Sequence, residues 1–169
     1  MTTQIQPVTA ITTPGIAPHG GCLVQRQVAG EAAAELAGRA RAFPSIHLNT
    51  RQLCDLELIG NGAFSPLEGF MGPDDYTRVV AEMHLAGGLP WTLPVTLAVA
   101  ADDAPHPGAR VALRDAAGLL RGVLEVESVY GYDKRHEARE VYRTEEATHP
   151  GVAAVYAQGD TLLGGPVTV

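Results

Sequence analysis

The sequence predicts an α+β domain in which several short helices surround a small, mostly antiparallel, partly closed sheet. Three observations lead to this fold class: helical periodicity before Trp91, β-prone runs after it, and turn residues that divide both kinds of run into short pieces. A chain of 169 residues is long enough for one domain with its own core. Because only 5% of the residues are aromatic, Ala, Val and Leu must fill that core.

The first half of the chain carries three helix signals. Residues 29–42 are strong helix formers and predict a helix that Pro44 stops. Asn49 followed by Gln52 resembles a capping box, and it predicts a second helix that ends near Gly60.

The third helix signal begins at residues 72–75, Gly-Pro-Asp-Asp, which place proline at the first helical position and carboxylates in the first turn. The Gly87-Gly88 pair predicts its end. A buried face is predicted by apolar residues at helical spacing, namely Tyr76, Val79, Val80 and Met83.

From Trp91 onward the pattern predicts strands. Residues 92–100 are β-prone, and Pro94 restricts them to a sheet edge or a strand start. Residues 110–114 and 119–130 flank Asp-Ala-Ala-Gly and predict a β-hairpin with one wet face. Asp133 is placed to cap a charged helix through about Tyr142, and the end of the chain returns to short apolar runs, punctuated at residues 159–160 and 164–166.

Composition excludes several functions. The net charge is −7 without a basic cluster, so nucleic-acid binding is not expected, because affinity for phosphates depends on Lys and Arg. No window approaches about 18 apolar residues, and no basic segment followed by an apolar run opens the chain, so we expect neither a membrane span nor a signal peptide. The expected location is the cytoplasm.

Residues 1–17, rich in Thr and Pro, predict a flexible tail, with the domain proper over residues 18–169. Cys22 and Cys54 show no CxxC pairing, so we expect buried free thiols rather than a disulfide or a zinc site. His19-Gly20-Gly21 predicts a turn, with an anion cradle as the alternative.

The sequence contains none of the short motifs GxxxxGK[ST], HExxH, GxSxG or GxGxxG. Its six histidines are scattered, and those that precede proline are explained by turns or caps. We therefore expect no catalytic, cofactor-binding or metal-binding residue in this chain.

Residues 58–72, LIGNGAFSPLEGFMG, are the candidate for a structural or docking role. Glycines permit tight bends, a proline fixes a turn, and apolar side chains anchor a compact loop. A loop built this way holds a shape rather than transfers protons, so we expect it to buttress the fold or to contact another domain. The candidate residues are Asn61, Phe64, Ser65, Pro66, Leu67, Gly69, Phe70 and Met71.

Residues 54–99 closely resemble the amino-terminal part of ATP sulfurylases (sulfate adenylyltransferases). Further family-like blocks lie before and after this stretch, in an order co-linear with the family. They are PHGG at 18–21, FPSI at 43–46, DKRHEAREVY at 133–142, THPGVA at 148–153 and GDTLLGGPV at 159–167.

The resemblance implies a PUA-like domain, a β-pseudobarrel with added helices. In the full enzyme this domain is joined to a nucleotidyltransferase domain that converts ATP and sulfate to adenosine 5′-phosphosulfate and pyrophosphate. The family's catalytic QxRN and HxxH motifs do not occur in this sequence.

The resemblance therefore implies a structural or docking domain, inactive alone and without a cofactor of its own, whose partner is the catalytic domain in cis or in trans. It also leaves room for a homo-oligomer. The alternative is a freestanding PUA-like module that binds a protein, a small ligand or RNA, and the acidic composition argues against RNA.

Overall fold

The computed structural model describes residues 15–169, so residues 1–14 of the predicted tail lie outside the described part of the chain. Within residues 15–169, a mixed sheet of seven strands curls into a half-barrel, and five short α-helices surround it. The predicted α+β, partly closed architecture is confirmed.

Four of the five helices lie where local sequence signals predicted a helix. The bounds of the five helices are α1 Gly30–Ala40, α2 Thr50–Gly60, α3 Pro73–Glu82, α4 Lys134–Tyr142 and α5 Pro150–Tyr156. The fifth, α5, occupies a segment whose sequence predicted only a short apolar run. There the ring of His149 accepts a hydrogen bond from the Gly151 N–H, and the following proline begins the helix.

Two predicted caps are confirmed. The Asn49 side chain accepts the Gln52 N–H at 2.9 Å, and the Gln52 side chain accepts the Asn49 N–H at 3.0 Å, which completes the capping box of α2. At α4, one carboxylate oxygen of Asp133 accepts the N–H groups of residues 135 and 136. These hydrogen bonds satisfy donors that have no partner inside a helix.

The predicted end of α3 was wrong. The helix stops at Glu82, and Met83 takes a left-handed conformation with φ of 56°, while Gly87-Gly88 lies in the following turn. The turn closes because Asp75 accepts the Ala86 N–H at 2.7 Å, which draws the chain back before the glycines. As a result Met83 is half-buried, whereas the other residues of the predicted buried face are buried.

The strands pair antiparallel, except that β1 and β4 are parallel. Their bounds are β1 Ser45–His47, β2 Gly69–Phe70, β3 Leu97–Val99, β4 Arg110–Arg114, β5 Leu120–Glu125, β6 Ser128–Gly131 and β7 Thr161–Thr168. The order across the sheet is β1-β4-β5-β7-β2, and β3 and β6 also pair with β7. The β4–β5 hairpin is confirmed.

Strand β7 is the centre of the half-barrel. Its first half pairs with β3 and β6, and its second half pairs with β2 and β5. Two sequence predictions were wrong here for the same reason. The Gly164-Gly165-Pro166 run is not a break, because β7 passes through it, and the run 119–130 is not one strand, because it splits at Val126-Glu127 to reach both halves of β7.

Leucine and valine dominate the core, as the composition predicted. The largest fully buried side chains come from α2, α3, α5, the strands and the β5–β6 link: Leu56, Ile59, Val79, Leu97, Val111, Leu113, Leu124, Val126, Val152, Val155, Leu162 and Leu163. The larger apolar cluster joins the sheet to α2 and α3 and includes Leu67, Phe70 and Met71 of the 58–72 loop, whereas Ala40 of α1 belongs to a second, smaller cluster with Ala112 and Val123.

The prediction that both cysteines are buried was wrong. Cys22 and Cys54 are free thiols, and both are exposed. In α2 the buried stripe runs through Gln52, Leu56 and Ile59, so Cys54 lies on the helix face that points to solvent.

Candidate docking site

The 58–72 loop leaves the end of α2 through two tight bends. Asn61 follows the last helical residue, and its side-chain oxygen accepts the Ala63 N–H at 2.9 Å. Gly62 has a φ of 86°, and a Cβ at this position would lie 2.8 Å from Leu23 Cδ1. The bend therefore requires glycine, and it brings the loop against the segment that precedes α1.

Ser65 ties the loop to that segment from the inside. Its side chain is buried, with 2% exposed. The hydroxyl donates to the Gly62 carbonyl oxygen at 2.6 Å and accepts the Val24 N–H at 2.9 Å. Both bonds are internal, so Ser65 is a structural residue of the loop.

The second half of the loop enters the sheet. Gly69 and Phe70 form β2 and pair with Pro166 and Gly165 of β7. A Cβ at Gly69 would overlap the Gly165 carbonyl oxygen and lie 2.7 Å from Pro166 Cα. Close approach of the two backbones therefore excludes any larger residue at position 69.

The apolar anchors on this side of the loop are buried. Leu67 is 6% exposed, Phe70 3% and Met71 2%. The backbone of Met71 is fixed by two further elements, since its N–H donates to the Val95 carbonyl at 3.0 Å and its carbonyl accepts the Tyr130 hydroxyl at 2.6 Å. This part of the loop is packing.

The other part of the loop faces outward. Asn61 is exposed, and Phe64 and Pro66 are half-buried. The ring of Phe64 packs edge-on against Trp91, with ring centroids 5.7 Å apart. The structure thus divides the candidate residues into an inner set that holds the fold and an outer set that borders an aromatic surface.

A cleft of about 490 Å³ lies beside the loop, between the loop, the turn after α3 and β7. Among its described lining residues the charged ones are acidic, namely Glu68, Asp75 and Glu127. Ser128 also lines it, and in residues 15–169 its hydroxyl is the one buried side-chain polar atom without a hydrogen-bond partner. The acidic lining gives the cleft no attraction for a phosphate backbone.

Sequence reasoning missed a buried carboxylate between α3 and α4. Glu137 is 4% exposed, and its Oε2 accepts the Tyr76 hydroxyl at 2.8 Å. Burial raises the pKa of Glu137, and the Tyr76 hydrogen bond and the charge of Arg51 offset this only in part. The sequence did contain a pattern that could have predicted this burial. In α4, Glu137 lies on the same helix face as the apolar Val141, four residues later.

The pKa values of the tyrosines around Glu137 are raised as well. Burial, followed by the charge of Glu137, raises the pKa of Tyr76, Tyr130 and Tyr132 above the ordinary range. All three phenols therefore stay protonated and serve as hydrogen-bond donors. The cluster joins α3, α4 and β6, and it has no activated nucleophile.

Two further properties of the described residues bear on function. In residues 15–169 no three His, Cys, Asp or Glu side chains are grouped so that they could hold a metal ion. No helix in this described part of the chain combines the length and the apolar character that crossing a membrane requires.

The fold and the loop define a class of protein. Residues 16–169 match the family model described as a PUA-like domain. The chain belongs to the PUA-like domain family.

Similarity to individual proteins points to a narrower group than this family. The sulfate adenylyltransferase of Deinococcus radiodurans is 50% identical over 173 residues, which cover 100% of this chain and 42% of that protein. The sulfate adenylyltransferase of Synechococcus elongatus is 51% identical over 156 residues, which cover 91% of this chain and 40% of that protein. The match lies in the amino-terminal part of these proteins. The chain therefore spans about two fifths of the length of these relatives.

Larger proteins contain the same domain. The probable bifunctional SAT/APS kinase 2 of Sorangium cellulosum is 49% identical over 91% of this chain and 27% of that protein. The solved structure of a hexameric APS kinase from Thiobacillus denitrificans has a TM-score of 0.67 and 31% identity, and the match covers 90% of this chain and 26% of that one. The domain is thus found within longer chains.

Proposed function

We propose that this chain is the amino-terminal, non-catalytic domain of a sulfate adenylyltransferase. The observation that carries the proposal is identity of about 50% over essentially the whole chain to the amino-terminal two fifths of those enzymes. The QxRN and HxxH motifs of the family are absent from this sequence, and the buried carboxylate of Glu137 accepts the Tyr76 hydroxyl inside the fold.

In this proposal the domain contributes structure. ATP and sulfate are handled by the polypeptide that follows the matched region in the relatives, so the chain needs no cofactor of its own. Its partner is that catalytic polypeptide, in cis or in trans, in the cytoplasm. Assembly into a homo-oligomer is supported by the hexameric relative, although the contacts need not lie in this domain.

The buried and exposed halves of the 58–72 loop fit such a role. Phe70 and Met71 hold the loop against β7, while Phe64 and Pro66 remain at the surface. A loop fixed from the inside presents a preorganised outer face, which reduces the entropic cost of binding a partner.

A chimera tests the proposal. Residues 1–169 are joined to the part of the Deinococcus radiodurans enzyme that follows its matched region, and sulfate-dependent release of pyrophosphate from ATP is measured. We expect the chimera to release pyrophosphate and the 169-residue chain alone to release none, with the intact Deinococcus radiodurans enzyme as the control. A folded but inactive chimera would contradict the proposed function, and activity of the chain alone would contradict the non-catalytic role.

A further inference from the structure

Two of the four exposed large apolar side chains in residues 15–169 flank the candidate loop. Leu23 is 39% exposed and lies against Gly62, and Leu93 is 48% exposed and follows Trp91. Three half-buried apolar side chains belong to the same region, namely Phe64, Leu89 and Trp91. We use the name Trp91 patch for these three residues together with Leu23 and Leu93.

The Trp91 patch is held in one shape. The Trp91 indole N–H donates to the Leu93 carbonyl at 2.8 Å, and its ring packs edge-on against Phe64. His19 supports the other side, with its Nε2 2.8 Å from the Pro90 carbonyl oxygen and its ring 5.9 Å from that of Trp91. The patch contains no charged residue, and fixed aromatic side chains in such surroundings are typical of the centre of a protein interface.

The end of the matched region is hydrogen-bonded to the segment that carries Leu23, one member of the patch. The Val169 N–H donates to the Arg26 carbonyl at 2.9 Å, and its carbonyl accepts the Val28 N–H at 2.8 Å. Residues 23–28 form one segment. At its start the Leu23 side chain packs against Gly62, and further along the Arg26 N–H donates to the Gly60 carbonyl at 2.9 Å. Val169 and the Trp91 patch are therefore joined through one short segment of backbone.

In the relatives, about three fifths of the protein lies outside the region that this chain matches, and the match is amino-terminal. A polypeptide that continues from the position of Val169 starts beside the segment 26–28, which leads to Leu23 and the patch.

We propose that the Trp91 patch is the docking surface for the polypeptide that follows the matched region in sulfate adenylyltransferases. This inference rests on the proposed function and names the partner surface of the same loop. Docking there buries Trp91 and Leu93 under the catalytic polypeptide and fixes its position relative to α2 and β7.

Trp91 is the only tryptophan of the chain, so it can report on the patch directly. In the experiment, 5-hydroxytryptophan replaces tryptophan at this position. The label is placed in the isolated chain and, by ligation of the labelled chain, in the chimera with the Deinococcus radiodurans polypeptide. Quenching of its fluorescence by acrylamide measures access of solvent to the ring. We expect quenching to fall several-fold in the chimera compared with the isolated chain.

Two matched variants locate the effect. Leu93→Asp places a charge in the patch and should restore quenching in the chimera toward the value of the isolated chain. Leu119→Asp is the control, because Leu119 is 58% exposed but lies in the turn of the β4–β5 hairpin, outside the patch. Leu93→Ala is the milder second variant, and circular dichroism confirms that each variant is folded.

The outcomes separate this inference from the proposed function. If the chimera is active while Trp91 stays as accessible as in the isolated chain, the docking surface is wrong and the family assignment stands. If Trp91 is shielded and Leu93→Asp exposes it, the docking surface stands even in an inactive chimera. If the isolated chain shields Trp91 as its concentration rises, with a dimer in sedimentation analysis, a second copy occupies the patch and the inference is overturned.

Discussion

The Tyr76 hydroxyl donates a 2.8 Å hydrogen bond to the buried Oε2 of Glu137, which links α3 to α4. The carboxyl group is 4% exposed, and burial raises its pKa. In the folded chain Glu137 therefore keeps its proton at pH values where the unfolded chain has already lost it. The contribution of Glu137 to the free energy of unfolding is therefore complete below the ordinary pKa of glutamate. It falls as the pH rises from that value through the raised pKa of the folded state.

Glu137→Gln should remove that pH dependence. The amide oxygen of glutamine still accepts the Tyr76 hydroxyl, but the side chain cannot ionise. We expect the variant to gain stability relative to the wild type as the pH rises through this window, and to show no such gain at lower pH. Urea unfolding of both proteins over a series of pH values measures the difference.

The difference curve isolates Glu137, because the other shifted groups are present in both proteins. Burial also raises the pKa of Asp55, which has the same sign, whereas hydrogen bonds from backbone N–H groups lower the pKa of Asp133, which has the opposite sign. Parallel stability curves for the two proteins would show that Glu137 does not titrate differently on folding.

Two serines near the loop should respond in opposite ways to alanine. Ser65→Ala removes one donated and one accepted hydrogen bond inside the fold, and we expect it to lower the free energy of unfolding by about 1–3 kcal/mol. Ser128→Ala removes a buried hydroxyl that has no partner in the described residues, so we expect an unchanged or higher stability. Equal losses in denaturant unfolding for the two variants would contradict this assignment.

Phe70→Ala should destabilise the domain strongly. The ring is 3% exposed and packs in the core next to β7, so its removal leaves a cavity that should cost about 3–5 kcal/mol. Thermal and denaturant unfolding measure the change. Leu119→Ala, at an exposed turn position, is the control with an expected change within about 0.5 kcal/mol. Unchanged unfolding of Phe70→Ala would refute the packing role of the loop.

Gly69→Ala tests the contact between β2 and β7. The new methyl group would overlap the Gly165 carbonyl, so the strands must separate, and we expect a loss of about 3 kcal/mol or more. Gly87→Ala is the matched control, because a Cβ there meets no atom within 4 Å. We expect Gly87→Ala to be neutral or slightly stabilising. Hydrogen exchange at β7 distinguishes local opening from global unfolding, and a stable Gly69→Ala variant would rule out close approach of these strands.

Local signals in the sequence were sufficient for most helices. Asn49 and Gln52 correctly predicted the start of α2, and Asp133 correctly predicted the start of α4. Such caps are predictable because they form between residues that are close in sequence. The position of Met83 was not predictable in the same way. The end of α3 depends on a hydrogen bond from Ala86 to Asp75, eleven residues away.

Long-range pairing explains what the sequence did not predict in the sheet. Gly164 and Gly165 are typical of a turn, and only the strands packed on both sides of β7 keep them extended. The Trp91 patch was missed for a related reason. A single tryptophan in a β-prone run is as compatible with a core position as with a surface one, and only the fold decides between them.

The place of β7 in the chain has a consequence for how the protein is made. Strands β2, β3, β5 and β6 all precede it, and each needs it as a pairing partner. A ribosome delivers residues 161–168 after the other six strands, so until then the growing chain can form its helices and the β4–β5 hairpin but cannot close the half-barrel. Until that strand emerges, an edge of each of four earlier strands stays unpaired, and an unpaired strand edge is a template for pairing with another chain.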